Sequence, residues 1–270
     1  VPPKLPYASV LFGDTPEETY EKARSIRAKG YMAAKFGWNR FGRSTVESDA
    51  EHAAAAREGM GPDARVMLDA GTVWKDDVEA AAKRIPHLAA NKITWLEEPF
   101  ESGALSAYAR LAEISGGVGI AAGEGAHNLY MAKQLIDIGR VDYIQIDTGR
   151  IGGLSPSREA ALYAKERGVT YVNHTFTSML ALSASLAPYW DLEESELCEY
   201  PMEPKSLCKE LTAGALVPGA DGLIRPLDAP GLGLVPSPEA IRRYMVEVSI
   251  KVDGKTIFES TRESVERLLT

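Results

Sequence analysis

The 270-residue chain is poor in cysteine and histidine and has no long apolar run. Two cysteines, Cys198 and Cys208, cannot build a disulfide framework and lack zinc-ligand spacing, so both are expected to be thiols without redox function. No apolar stretch approaches the roughly 20 residues of a transmembrane helix. None joins a basic start, an apolar middle and a small-residue cleavage site, so a cytoplasmic protein with no membrane partner is expected. Positive charge is also scarce: Lys plus Arg number 30 against 38 Asp plus Glu, giving 30 − 38 = −8. With no basic stripe to neutralise phosphates, nucleic acid is excluded as a partner. The stretch Gly149-Arg150-Ile151-Gly152-Gly153 lacks the Walker lysine and the spacing of a dinucleotide fingerprint, and reads as a strand-to-helix turn.

What is present is ordinary globular composition, 45% apolar and 25% charged, and an alternation of short apolar runs with longer amphipathic ones. Eight strands are expected near 7–12, 31–36, 65–70, 92–97, 118–123, 142–147, 169–174 and 195–200. Thr15-Pro16-Glu17-Glu18 supplies an N-cap, a proline at the first helical position and a glutamate returning to the cap, with Gly30 closing the helix. Ser155-Pro156 reads as a second such start. Stretches 51–59, 76–90, 104–114 and 128–138 fill further gaps. Repeated βα units specify a parallel sheet, closed into a TIM-type barrel; an open doubly wound sheet is the other candidate. After the eighth strand the pattern fails. Residues 204–238 are rich in Gly and Pro, and a helix near 238–246 and a strand at 246–252, turning at Asp253-Gly254, follow. We therefore expect a barrel domain over 1–203 and a C-terminal extension over 204–270, packed on the barrel or over its mouth.

From the second strand onward each strand ends on an ionisable residue: Lys35, Asp69, Glu97, Glu124, Asp147, His174 and Glu199. The spacing of about one βα unit gathers all seven at the C-terminal face, where barrel enzymes keep their chemistry. Asp69, Glu97 and Glu124 lie on consecutive strands. Three carboxylates converging without counter-charge repel one another, and a hard divalent cation resolves this: Mg²⁺, with Mn²⁺ the other candidate. Glu98 should point to the opposite strand face and serve a structural ion pair. Lys35 stands across the barrel from Asp147 and His174, giving two acid/base groups on opposite faces of one substrate. Glu199, near other negative charge, is expected to have a raised pKa and to donate a hydrogen bond to a developing oxyanion. His127, Trp38, Asn39 and Arg40 are candidates for the rim; His52 and His87 sit in helical stretches without a special role.

Lys35 in AAKFGW, Asp69 in VMLDAG, Glu97 in WLEEP, Glu124 in AAGEG, Asp147 in IQIDTGRIGG, His174 in YVNHT and Glu199 in LCEYP together resemble the mandelate racemase subgroup of the enolase superfamily, over about residues 5 to 235. The resemblance implies a (β/α)7β barrel and Mg²⁺-assisted removal of the proton α to a carboxylate. It also implies metal ligation by Asp69, Glu97 and Glu124, Lys35 as one base, the His174–Asp147 dyad as the second acid/base, and Glu199 as electrophilic partner. Many members carry a Lys-x-Lys pair on strand two, where this chain has Ala33 in the first place. They also have an N-terminal α+β capping domain, expected to be absent here because the chain begins just before the first barrel strand. The expected activity is that of a lyase, a sugar-acid dehydratase yielding a 2-keto-3-deoxy acid, in a homo-oligomer. A racemase or epimerase with the same site and a noncatalytic binding or scaffold barrel are the alternatives.

Overall fold

The computed structural model describes residues 1–269. Its strands are β1 (Leu5–Leu11), β2 (Ala33–Gly37), β3 (Arg65–Asp69), β4 (Trp95–Glu97), β5 (Gly119–Ala122), β6 (Tyr143–Asp147), β7 (Thr170–His174) and β8 (Leu197–Pro201). They run parallel in the order β7-β6-β5-β4-β3-β2-β1-β8. β7 and β8, the two ends of this order, lie against each other, so the sheet curls into a nearly closed barrel and the open sheet is excluded. The seven gaps carry α1 (Pro16–Ala28), α2 (Val46–Met60), α3 (Val78–Ala82) with α4 (Ile85–Ala90), α5 (Leu105–Ile114), α6 (Leu129–Asp137), α7 (Leu154–Glu166) and α8 (Met179–Leu186), which makes a (β/α)7β barrel. At the β7–β8 seam side chains stand in for ladder bonds. Asn173 Oδ1 accepts from the Glu199 amide at 2.8 Å, and the Tyr189 hydroxyl accepts from the Asn173 amide at 2.8 Å and donates to the Leu197 carbonyl at 2.7 Å.

Local signals explain most boundaries. Thr15 Oγ1 accepts from the Glu18 amide at 3.2 Å, and the Glu18 carboxylate accepts from the Asp14 amide at 2.7 Å, so α1 opens on a reciprocal cap. The helix expected over 76–90 is broken into α3 and α4, because Pro86 cannot donate to the preceding turn and Arg84 turns inward at the break. The helix expected to start at Ser155 begins at Leu154 after Gly153, whose φ of 117° only glycine adopts without strain. α8, MLALSASL, was not anticipated from the pattern: it is apolar nearly all round and so carries no amphipathic period.

Strand alternation and register sort the inward side chains into layers, each drawn from alternate strands. Ala33, Trp95, Tyr143 and Leu197 form the lowest, and Tyr7, Met67, Ala121 and Val172 the next; together they make a closed apolar plug. Lys35, Glu97, Gln145 and Glu199 lie above it, and Ser9, Asp69, Gly123 and His174 above those. The barrel is packed below and charged above, so its chemistry is confined to the C-terminal end. Beyond β8, α9 (Ser206–Glu210) leads to the two-residue strands β9 (Thr212–Ala213) and β10 (Val235–Pro236), while Leu216 and Ile224 are buried in the core cluster around the barrel. α10 (Pro238–Tyr244) precedes the hairpin β11 (Val248–Val252) and β12 (Lys255–Ser260), which exposes Ile250, Val252, Ile257 and Phe258, and α11 (Arg262–Leu269). No helix among the described residues is long and apolar enough to cross a membrane.

Candidate active site

The seven residues singled out from the sequence converge on the C-terminal mouth, at different depths. Lys35 and Glu199 sit mid-strand rather than at strand ends, Glu124 lies two residues past β5, and Asp147 and His174 close β6 and β7. Lys35 Nζ, fully buried, contacts Glu97 Oε1 and lies 2.9 Å from Glu199 Oε1 and 3.6 Å from Asp69 Oδ2. Glu199 is held further by Ser9 Oγ at 2.9 Å and the Thr175 amide at 2.7 Å. On the other flank, His174 Nδ1 meets Asp147 Oδ2 at 2.8 Å and Nε2 meets Glu124 Oε2 at 3.1 Å. Asp147 Oδ1 accepts from the amides of Gly149 and Arg150 at 2.8 and 2.9 Å, so the carboxylate that orients the imidazole is itself fixed.

Between these flanks, Asp69, Glu97 and Glu124 each offer a carboxylate oxygen, all within 4.8 Å of one another. The donor set fits a hard dication: all oxygen, two of the three residues buried, with Trp95 Nε1 steadying Glu97 at 3.0 Å and the Gly71 amide steadying Asp69 at 2.9 Å. Burial pushes Glu97 up to about 8 and Asp69 up to about 6, with Lys35 opposing both shifts, so these two carboxyls are costly to ionise without added positive charge. Glu124 moves the other way: His174 and Arg150 outweigh its burial and hold it well below the usual range.

The electrostatics differ from expectation at two places. Burial of Glu199 would raise its carboxyl, but the Lys35 ammonium and His174 outweigh it and hold the group below its ordinary value, so it is an anion here rather than a neutral donor. Glu98 makes no ion pair among the described residues. Its carboxyl accepts from the Gly123 amide at 2.8 Å and meets the Tyr108 hydroxyl at 2.9 Å, and burial pushes it up to about 7. Lys35, despite burial that works against its charge, is held well above the ordinary lysine value by Glu199, Glu97 and Asp69. For His174 burial is likewise outweighed, chiefly by Glu199 and Asp147, and the ring rises to about 10.

A cavity of about 260 Å³ opens over Lys35, Asp69, Glu124, His174 and Glu199, walled by Val10, Leu11, Trp38 and Phe176. Of the rim candidates only Trp38 lines it; His127 is solvent-facing, and Asn39 instead bonds Asp14 Oδ1 at 2.8 Å and the Phe12 carbonyl at 3.2 Å. Ala33, in the place where the resemblance puts a second lysine, is buried in the plug. Arg150 belongs by sequence to a strand-to-helix turn, yet its guanidinium lies 2.8 Å from Glu124 Oε1 and 3.9 Å from Asp147 Oδ2, bridging the triad and the dyad. Its position three residues beyond a mouth aspartate was the available signal. Ser9, two residues before the end of β1, where no ionisable residue marks the strand, had none.

With this geometry in view, the family model described as "Enolase C-terminal domain-like" matches residues 18–240. A crystal structure from Rhodobacter sphaeroides, described as a predicted mandelate racemase, is 53% identical with a TM-score of 0.90, over 96% of this chain and 66% of that one. D-galactarolactone cycloisomerase of Agrobacterium fabrum is 29% identical over 225 residues, 81% of this chain and 58% of its own length. L-galactonate dehydratase of Hypocrea jecorina is 34% identical over 135 residues, 48% of this chain and 30% of its own. The chain thus spans less than two thirds of the length of these relatives.

Proposed function

The chain belongs to the enolase superfamily, as a mandelate racemase-like C-terminal barrel, and from that premise we propose that it is a Mg²⁺-dependent dehydratase of sugar acids. The observation that carries this reading is the placement of Lys35 and the Asp147-oriented His174 on opposite flanks of the carboxylate triad in one mouth. Asp69, Glu97 and Glu124 would hold the cation. When bound, it supplies the fixed positive charge that makes removal of a proton α to a carboxylate accessible.

The chain's own residues divide the proton work. Glu199 and its Ser9 and Thr175 donors fix Lys35 Nζ at one flank, where it would take the α proton as the neutral amine, the form that a cation on the neighbouring carboxylates favours. Asp147 holds Nδ1 and leaves Nε2 of His174 turned toward the mouth, placed to protonate a departing β-hydroxyl. Arg150 closes the side beyond Glu124, and Leu11, Trp38 and Phe176 limit access of water. Relatives named for galactonate dehydration and for cycloisomerisation of galactarolactone support a sugar-acid substrate.

The same opposition of two acid/base groups favours a second reading, racemisation or epimerisation, and N-succinyl-L-Arg/Lys racemase of Bacillus cereus is a relative at 26% identity over 168 residues. One experiment separates them: a sugar-acid library incubated with Mg²⁺ in D₂O. Dehydration gives 2-keto acid; racemisation gives α-deuterated substrate of inverted configuration and no 2-keto acid. A library that yields neither overturns both.

A further inference from the structure

Gln145 occupies the charged layer of the barrel and has no partner there. It lies on β6 between Tyr143, which packs in the apolar plug, and Asp147, which orients His174, so strand alternation turns its side chain to the barrel axis. Its register neighbour on β7 is Val172; the registers run Glu97 to Ala121 to Tyr143, and the tilt of barrel strands, about one residue per strand, brings Gln145 two positions on to the level of Glu97, the same step by which Lys35 meets Glu97. Lys35, Glu97, Gln145 and Glu199 are then the four members of one layer, from β2, β4, β6 and β8. Contacts of Lys35 with Glu97 and Glu199 verify three of them. Gln145 is 1% exposed, and neither its amide oxygen nor its amide nitrogen has a hydrogen-bond partner. A buried amide left so costs on the order of 1–3 kcal/mol, which an apolar side chain of similar volume would avoid. An amide at this place therefore asks for a state in which it is used.

We infer that Gln145 is a positioning residue for Lys35 in the cation-loaded site: its amide oxygen accepts from Lys35 Nζ once a divalent cation replaces the ammonium as the counter-charge of Glu97. The inference rests on the cation site proposed above. Lys35 spends its donors on Glu97 and Glu199, with Asp69 close by. A cation on Asp69, Glu97 and Glu124 competes for two of these three and leaves Lys35 with Glu199. Strand β6 lies opposite β2 across the barrel, so Gln145 presents the unused acceptor on the side away from the pull of Glu199. Lys35 Nζ held between the two is kept centred in the mouth. Without that acceptor, displacing Lys35 from Glu97 loses a hydrogen bond, and the loss is charged to cation binding.

The test is Gln145→Met, which keeps length and volume but removes both polar atoms, with Gln145→Leu as a second replacement. Thermal unfolding is followed with and without Mg²⁺, and Mg²⁺ affinity is measured by calorimetry. We expect metal-free variants as stable as the parent or more so, and Mg²⁺ binding weakened by about tenfold or more, the size typical of groups that support metal ligands. Variants destabilised without Mg²⁺ but binding it as the parent does would make Gln145 a structural residue and overturn the inference. So would variants identical to the parent in both measurements. The cation site is judged separately with Glu97→Gln: if that variant loses Mg²⁺ binding while Gln145→Met does not, the inference fails alone, and if the parent binds no Mg²⁺ both fail.

Discussion

Two buried polar clusters lie on opposite sides of the barrel wall and are wired differently. In the helix layer outside β1–β3, Asp49 meets Arg84 at 2.7 Å and takes the Gly42 amide at 3.0 Å, while His52 pairs with Thr19 at 2.8 Å. The Asp49–Arg84 pair is one acid to one base. At the mouth, Asp69, Glu97, Glu124, Asp147 and Glu199 share Lys35, Arg150 and His174, an excess of 5 − 3 = 2 negative charges with every carboxyl ionised and the imidazole protonated, and the raised values of Glu97 and Asp69 are the cost of that excess. A packing cluster satisfies itself, because an unpaired buried charge is expensive. A cluster with that excess suits the divalent cation proposed above, which would offset it.

The largest effects should come from removing the acid/base groups at the mouth. Lys35→Ala and His174→Asn are each expected to lower turnover by on the order of 10²–10⁴, the usual contribution of a positioned acid or base. In D₂O, Lys35→Ala should abolish exchange of the α proton, whereas His174→Asn should keep exchange and lose 2-keto acid. Exchange lost only in the histidine variant swaps the two roles; full turnover in both removes them from the chemistry.

Stability should respond with opposite sign in the two clusters. Arg84→Met strands Asp49 in the helix layer, and a loss of about 3–5 kcal/mol is expected, with Mg²⁺ affinity untouched. Asp69→Asn removes one surplus charge and can keep the Gly71 hydrogen bond, so the metal-free protein should hold its stability to within about 1 kcal/mol or gain some, while Mg²⁺ no longer binds tightly. Urea denaturation and calorimetry read both. An Asp69→Asn protein that unfolds as readily as Arg84→Met would show that the mouth is a packing cluster after all.

The difference between the clusters also decides how much could be read from the sequence. The barrel was legible because βα alternation is periodic, and the seven ionisable residues because they recur once per unit. What escaped was aperiodic or ambiguous in type. α8 shows no amphipathic period, and Arg150 sits in a turn whose glycines dominate the pattern. The depth of Lys35 and Glu199 was invisible because neither strand's end is marked; each runs two residues further than its ionisable group. Gln145 carried a usable signal, a polar residue on the same strand face as Tyr143 and Asp147, but an amide titrates nothing and so falls outside a search for charge. The sign of the Glu199 shift needed the 2.9 Å contact with Lys35, which no spacing supplies.

The smallest expected effect tests the helix layer's self-sufficiency through pH. His52 is buried beside Thr19 of α1, stacks edge-on to Phe12 at 5.4 Å, and has Asp49 and Glu51 on its own helix and Arg40 nearby. Burial lowers its pKa below the ordinary value of 6.5, against the pull of the two acids. The folded chain therefore resists a proton that the unfolded chain accepts. Between the folded value and 6.5 the unfolded state binds more protons, so stability rises with pH there and is lost as pH falls below 6.5. The slope cannot exceed about 1.4 kcal/mol per pH unit for one group. Urea midpoints at pH 7.5 and 5.5 should fall further for the parent than for His52→Gln, which keeps an acceptor for Thr19 and cannot titrate. The mouth titrates alike in both proteins, so the difference between the two falls isolates the helix layer. An equal fall would mean that His52 is as easily protonated folded as unfolded, and that the layer is less dry than its one-to-one pairing implies.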